Sequence, residues 1–522
     1  MDRVSTHTGM RAGAKEWLGL TVLALPTLLL ALDITVLHLG VPRLSEDLRP
    51  SSSQLLWIID IYGFMIAGFL VTMGSLGDRV GRRRLLLIGA AGFGIASAAA
   101  AFSTTPEMLI ASRAVMGIAG ATLMPSTLAL ISNMFSVPHQ RGLAIGIWAT
   151  MFSAGIALGP IVGGALLEHF WWGSVFLLGL PVMLLLLLAG PLLLPEHRDP
   201  SAGRPDMVSV GLIIATMLSL TFGIKEGAVH GFSPVAIGSG ALGLTLGFLF
   251  VRRQRRLVDP LLDLALFSNR SVRAGLVALL ISTLTIGGIY LFLTQHLQLV
   301  AGHPPLVAGL LLLPGACALI VASLLAPILA RRVPPMLIVG VSLATSAAGF
   351  VILAQAAATA DTVLILVGFA VAYAGIGPVT ALATDIVVGS APVERAGSAS
   401  ALSETSTEIG VSLGIAIMGS VGIAIYRSGI PREPAVEGTT QAYESAAETL
   451  AAALQSADAL PAGLGEELRS LATEAFAAGF VATAWLGAAL LIAASAVAVT
   501  ALRRTREERS AHRTRAHSSD QV

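Results

Sequence analysis

The chain has 522 residues, of which 55% are hydrophobic and 12% charged, against about 25% charged in ordinary globular proteins. Its apolar residues come in long runs, many near the roughly 20 residues that cross a bilayer as a helix, which excludes a soluble enzyme. A net charge of +1 gives a nucleic-acid backbone no overall attraction, and a single cysteine, Cys317, excludes a disulfide framework or a cysteine-based metal site.

Breaking the chain at polar and Pro/Gly/Arg-rich stretches predicts fourteen spanning helices: 17–39, 53–75, 85–103, 107–131, 140–166, 173–194, 207–224, 232–251, 272–295, 306–329, 336–356, 362–388, 398–424 and 476–501. Residues 1–16 hold Arg3, Arg11 and Lys15, like the basic region of a signal peptide. The apolar run after them passes Asp33 without a small-residue cleavage site, so it reads as a retained first helix. With the N-terminus in the cytoplasm, 25 of the 32 Lys and Arg residues fall on the cytoplasmic side. Six fall outside, among them Lys225 between helices 7 and 8, and Arg113 alone lies within a span. That asymmetry predicts a multi-pass protein of the cell (plasma or bacterial inner) membrane with both termini cytoplasmic. Two stretches depart from short loops. Residues 425–475 form a long outer segment with eight acidic residues and a short amphipathic helix near Ala447–Leu454, and the basic tail 502–522 reads as a disordered arm near anionic headgroups.

Carboxylates inside spans are the most informative residues, because each costs several kcal/mol unless it faces a wet or protein-lined cavity. Asp33 lies in helix 1 and Asp60 in helix 2. Glu404 and Glu408 lie four apart on helix 13, on one helical face. These four are the candidates for proton coupling and for a cationic cargo's counter-charge; the competing reading is a structural hydrogen bond between helices. Arg113 on helix 4 stays protonated, so its role is electrostatic, as a charge partner for a carboxylate or as an interhelical tie. The stretch GSLGDRVGRRR (74–84) reads as a cytoplasmic connection between helices 2 and 3. Gly74 and Gly81 permit tight turns there, and Asp78, Arg79 and Arg82 are candidates for a latch. On helix 5, GIALGPIVGG (155–164) places Gly155, Gly159, Pro160, Gly163 and Gly164 within ten residues. Small residues at four-residue spacing allow backbone-to-backbone packing and a mid-span proline bends the helix, so the stretch is a candidate hinge. Trp57, Tyr62, Tyr290 and Phe292 are candidate cavity aromatics, since aromatic faces attract desolvated cations, although interfacial belts also use such residues. No phosphate loop is present, so ATP is not the expected energy source. No histidine/carboxylate cluster has metal spacing.

Together these segments resemble the major facilitator superfamily, and within it the fourteen-helix drug:proton antiporters of the QacA-like kind. GSLGDRVGRRR resembles the family's G-x-L-a-D-r-x-G-r-k loop. LIASRAVMGIAGA (109–121) resembles l-x-x-x-R-x-x-q-G, with Met116 in the glutamine position. GIALGPIVGG matches the antiporter signature g-x-x-x-G-P-x-x-G-G. ALDITVLHLGVP (31–42) resembles l-D-x-T-v-v-n-v-A-l-P, with His38 and Gly40 replacing Asn and Ala. The resemblance implies an all-α major facilitator fold. A six-helix bundle at 17–194 and a second at 272–501 are related by pseudo-symmetry, with two inserted helices at 207–251. It also implies export of lipophilic cations (quaternary ammonium compounds, dyes, biocides) driven by proton entry, with no cofactor and with a monomer expected. Some relatives add an acid on helix 10 for dicationic cargo, and residues 306–329 hold no Asp or Glu. The competing function is proton-driven export of a neutral or anionic metabolite or antibiotic.

Overall fold

The computed structural model describes residues 12–196, 206–231, 233–257, 260, 267–389, 396–431 and 439–519; no strand occurs among them. Fourteen of its helices are long and apolar enough to cross a membrane. They are α1 (Ala14–Leu48), α2 (Ser52–Val80), α3 (Arg82–Ala101), α4 (Pro106–Met134), α5 (Pro138–His169) and α6 (Ser174–Leu193). Then come α7 (Met207–His230), α8 (Pro234–Gln254), α9 (Arg270–Val300) and α10 (Pro305–Leu329). The last four are α11 (Pro335–Thr359), α12 (Thr362–Gly389), α13 (Ala396–Gly429) and α14 (Ala462–Ser519).

Local chemistry starts these helices where they start. The Ser51 side chain accepts from the Gln54 amide while the Gln54 side chain accepts from the Ser51 amide, closing a capping box on α2. Thr105 and Ser233 cap α4 and α8, each followed by proline at the first helical position. Asp206 caps α7, accepting from the Ser209 amide and pairing with Arg253 of α8 at 2.9 Å. The Arg253 hydrogen bonds hold the Asp206 carboxyl well below the usual carboxylate range, burial opposes them, and Ser209 adds to the lowering.

Packing repeats after eight helices. In the first half α1 packs on α5, α4 and α6, α2 on α4, and α3 on α4 and α6; in the second α9 packs on α13, α12 and α14, α10 on α12, and α11 on α12 and α14. The halves meet mainly through α2 with α13 and α5 with α10, while the inserted α7 and α8 pack on each other and α7 lies against both α2 and α13.

The glycines of α5 explain its contacts. Gly155, Gly159 and Gly163 face α1, where a Cβ would strike the Leu28 carbonyl, Thr35 Oγ1 and, at 2.8 Å, Val36 Cγ1. Gly164 faces the other half, where a Cβ would lie 2.6 Å from the Pro305 carbonyl oxygen, and the Pro160 carbonyl backs onto Gly309 of α10. Thus α5 touches α1 with one face and α10 with another. In the second half Gly410 and Gly414 of α13 face Thr283, Leu280 and Leu284 of α9 in the same manner.

Four expectations change. Gly74, Asp78 and Arg79 belong to the last turns of α2, not a loop, because α2 holds no proline and tolerates Gly74 and Gly77; the α2–α3 turn is Gly81 alone, with φ of 118°, a conformation glycine adopts without strain. Lys225 is not in an outer loop, since α7 runs six residues beyond the predicted end at 224. The outer segment contains two short helices, Thr440–Ala446 and Leu450–Ala459, and α14 begins at Ala462, directly after Pro461. In place of the expected disordered arm, the α14 backbone stays helical to Ser519, consistent with a sequence free of Gly and Pro after Gly487.

Candidate functional site

The site lies where α1, α2, α4 and α13 converge. A small cavity is lined by Ile59, Asp60, Tyr62 and Gly63 of α2, Arg113 of α4, Ile34, Leu37 and His38 of α1, and Glu408, Val411, Ser412 and Ile415 of α13. Helical periodicity explains why each stretch contributes what it does: 59, 60, 62 and 63 fall on one side of α2, while 408, 411, 412 and 415 form a single stripe on α13.

Arg113 is 2% exposed. Its Nη1 stands 3.4 Å from Asp33 Oδ2 and its Nη2 donates to the Ile59 carbonyl at 3.4 Å. Its guanidinium also lies over the rings of Tyr62 and Phe176, at 5.0 and 5.8 Å. Such a planar cation satisfies several partners at once, so Asp33 reaches the cavity through Arg113 without lining it.

Asp60 is 1% exposed and is already engaged. Lys225 Nζ of α7 lies 2.9 Å from Asp60 Oδ2 and 3.1 Å from Oδ1, and 3.8 Å from the centroid of the Trp57 ring. Sequence reading missed this lysine because it sits at the polar end of a predicted span. The available signal was the amphipathic continuation KEGAVH past 224, which keeps Lys225 one turn below Thr221, itself buried.

Glu408 lines the cavity next to Gly63 and Ser412, and Glu404 sits one turn earlier on α13, off the cavity wall. Neither glutamate has a hydrogen bond or ion pair to a described residue. Of the four aromatic candidates, Tyr62 alone lines the cavity, and its buried hydroxyl has no hydrogen-bond partner. Trp57 lies beneath Lys225. Tyr290 of α9 stands behind His38, ring to ring at 5.1 Å. Phe292 does not belong to the site: it packs on Phe476 and Phe480 of α14 at 5.7 and 6.1 Å, because position 292 projects to the opposite side of α9. His38, noted in the sequence as a motif departure, turns out to be a wall residue with an unpartnered Nδ1.

The latch candidates are only partly placed. The Asp78 side chain falls outside the described residues. Arg82 is buried and donates to the Pro125 carbonyl of α4, while Arg79 is exposed. At the other end of the helices a tie does exist. Glu448 accepts from the Ser52 amide and hydroxyl, both at 2.9 Å, and pairs with Arg427 at 2.9 Å, which joins the start of α2 to the end of α13. Burial alone would raise the Glu448 carboxyl; the Ser52 amide and the Arg427 guanidinium outweigh it and hold the group below its ordinary value.

The profile of the Major Facilitator Superfamily matches residues 23–415. The chain is 44% identical over 483 residues to the multidrug efflux pump LfrA of Mycolicibacterium smegmatis, covering 92% of this chain and 95% of that protein. It is 36% identical over 474 residues to the methyl viologen resistance protein SmvA of Salmonella typhimurium, covering 88% and 93%. Among solved structures, a bacterial homologue of the human lysosomal transporter Spinster superposes with a TM-score of 0.64 at 17% identity, covering 94% of this chain and 99% of that one, a likeness of fold. The chain therefore belongs to the major facilitator superfamily, among its drug-efflux members, and is a multi-pass membrane transporter rather than an enzyme.

Proposed function

We propose that the protein exports lipophilic cations such as quaternary ammonium compounds, dyes and biocides in exchange for protons, by alternating access in the cell membrane, with both termini cytoplasmic and with no cofactor. The observation that carries this reading is Glu408, a cavity-lining carboxylate with no ion pair to a described residue, whereas Asp60 on the same wall and Asp33 behind Arg113 each have a cation beside them. An acid held among apolar groups has no reason to persist unless it exchanges its charge partner during a cycle. The names of relatives point the same way: efflux of many drugs for one, and resistance to methyl viologen, a compound with two quaternary nitrogens, for another.

In this cycle a cation enters the cavity and displaces a proton from Glu408, with Glu404 one turn away as the second exchangeable acid. The α5 seam, packed on α1 by one face and on α10 by the other, is where the halves rock. Protons returning from the far side neutralise the glutamates and release the cargo. Each unit of charge moved through 100 mV is worth about 2.3 kcal/mol, so exchange of two protons for one monocation draws on the membrane potential, whereas one-for-one exchange does not. The test is ethidium efflux from energised inverted vesicles. Protonophore-sensitive efflux that is lost in Glu408→Gln and Asp33→Asn supports the reading. Inserted protein that moves a neutral antibiotic and no cation would overturn it in favour of metabolite export.

A further inference from the structure

Lys225 has no part in the exchange just described, yet its surroundings are those of an ammonium-binding site. The Asp60 carboxylate neutralises the charge at 2.9 Å, the Trp57 face lies 3.8 Å from Nζ, and both Lys225 and Asp60 side chains have no exposed surface. A carboxylate beside an aromatic face holds an alkylammonium group out of water, because the ring quadrupole adds to the ionic attraction where solvent does not screen it. The site is continuous with the cargo cavity, since Asp60 lines that cavity together with Arg113 and Glu408. Its occupant comes from outside both bundles: α7 belongs to the inserted pair and packs against α2 and α13 at their mutual boundary.

We propose that Lys225 is a resident cation that sets the charge of the cargo: it fills an alkylammonium subsite made by Asp60 and Trp57, and without it the second cationic head of a dicationic cargo takes that place. The inference rests on the cation-export reading. Its logic is a count of charge. The cavity and its immediate surroundings hold the acids Asp33, Asp60, Glu404 and Glu408 and the cations Arg113 and Lys225. Whatever the protonation of the glutamates, removing Lys225 makes the set one unit more negative and vacates the subsite, whereas neutralising Asp60 alone makes it one unit more positive. Removing both charges restores the balance. Lysine suits this role because its compact charge rides on a flexible stem, in contrast to the several-partnered guanidinium of Arg113.

The experiment measures equilibrium binding of tetraphenylphosphonium, a monocation, and dequalinium, a dication with two quaternary heads, to the purified full chain in nanodiscs. For Lys225→Met the ratio of the two dissociation constants is expected to move toward dequalinium by about tenfold or more, the scale of one uncompensated charge in a desolvated site. Lys225→Arg stays nearer the wild type. Asp60→Asn weakens tetraphenylphosphonium by about tenfold or more, and Asp60→Asn with Lys225→Met recovers most of that loss. A folded Lys225→Met protein with the wild-type ratio would overturn the inference and leave the pair a structural tie. So would a double variant that binds no better than Asp60→Asn; this second arm decides alone if Lys225→Met does not fold. Absence of tetraphenylphosphonium binding to the wild type is a different failure, because it removes the cation-export reading and this inference with it.

Discussion

The two halves of the transporter share one packing scheme and differ in where charge is placed. In both, a glycine face on the fifth helix of the half lies on the first: Gly155 and Gly159 of α5 on α1, and Gly410 and Gly414 of α13 on α9. Around the cavity, the acids of the first half are ion-paired, Asp33 with Arg113 and Asp60 with the inserted helix's Lys225, while Glu404 and Glu408 of the second half form no ion pair among the described residues. The backbone scaffold is thus duplicated and the electrostatics is not. Paired charges stabilise a fixed arrangement, whereas an acid without a partner can change its charge without stranding a cation.

The sharpest way to break this contrast is to unpair the first half. Asp60→Ala, which strands a buried ammonium, is expected to destabilise the protein by about 3–5 kcal/mol, read as a shift in the unfolding midpoint in mixed micelles. Asp33→Ala should cost less, about 1.5–3 kcal/mol, because Arg113 keeps the Ile59 carbonyl and two aromatic faces. Equal losses would show that the two pairs do the same structural job.

The shared seam comes next. Gly159→Val and Gly410→Val each drive a side chain into a facing threonine, Thr35 or Thr283, and overpacking of this kind costs about 1–3 kcal/mol. Both should stall efflux while the protein still inserts. If only Gly159→Val stalls it, the hinge belongs to α5, whose Pro160 and Gly164 also meet α10.

Removing charge from the second half of the cavity should do little to stability. Glu408→Gln is expected to change the unfolding free energy by less than about 1 kcal/mol, since no partner is stranded, yet to abolish protonophore-sensitive ethidium efflux. A stability loss as large as that of Asp60→Ala would mean that Glu408 is a structural group.

The smallest effect belongs to the tie across the halves at Glu448. A carboxyl held below its ordinary value contributes its stabilisation above that value, and the contribution disappears as pH falls through the lowered one. Acidification below the normal carboxylate range is therefore expected to lengthen the spin-label distance between the start of α2 and the Leu450–Ala459 helix. Glu448→Gln should abolish that pH response, while the energy involved stays near the 0.2–1 kcal/mol of partly exposed pairs.

Most of the fold was legible in the sequence. Long apolar runs and the one-sided arginines gave the helix count, and the α5 signature pointed to a seam that proved to face α1 and α10. Asp33, Asp60, Arg113 and Glu408 stood out because charge within an apolar run is conspicuous. Less legible was anything at a helix end. The stretch 74–79 read as a loop through its glycines and charges, yet it finishes α2, and Lys225 read as an outer-loop cation, yet α7 runs past it. Aromatics were equally ambiguous: Tyr62 and Phe292 look alike in a run of letters, and only helix rotation separates a wall residue from a packing residue.

By itself, then, the sequence determined the class, the number of spans and the inventory of buried charge, because hydropathy and charge are properties of short segments and the bilayer tests each segment separately. Tertiary structure alone decided which charges meet. The pairing of Lys225 with Asp60 joins residues 165 positions apart, and the freedom of Glu408 depends on Arg113, which lines the same cavity, being paired with Asp33 instead. Both are outcomes of how helices rotate and dock, which the local pattern of residues does not encode.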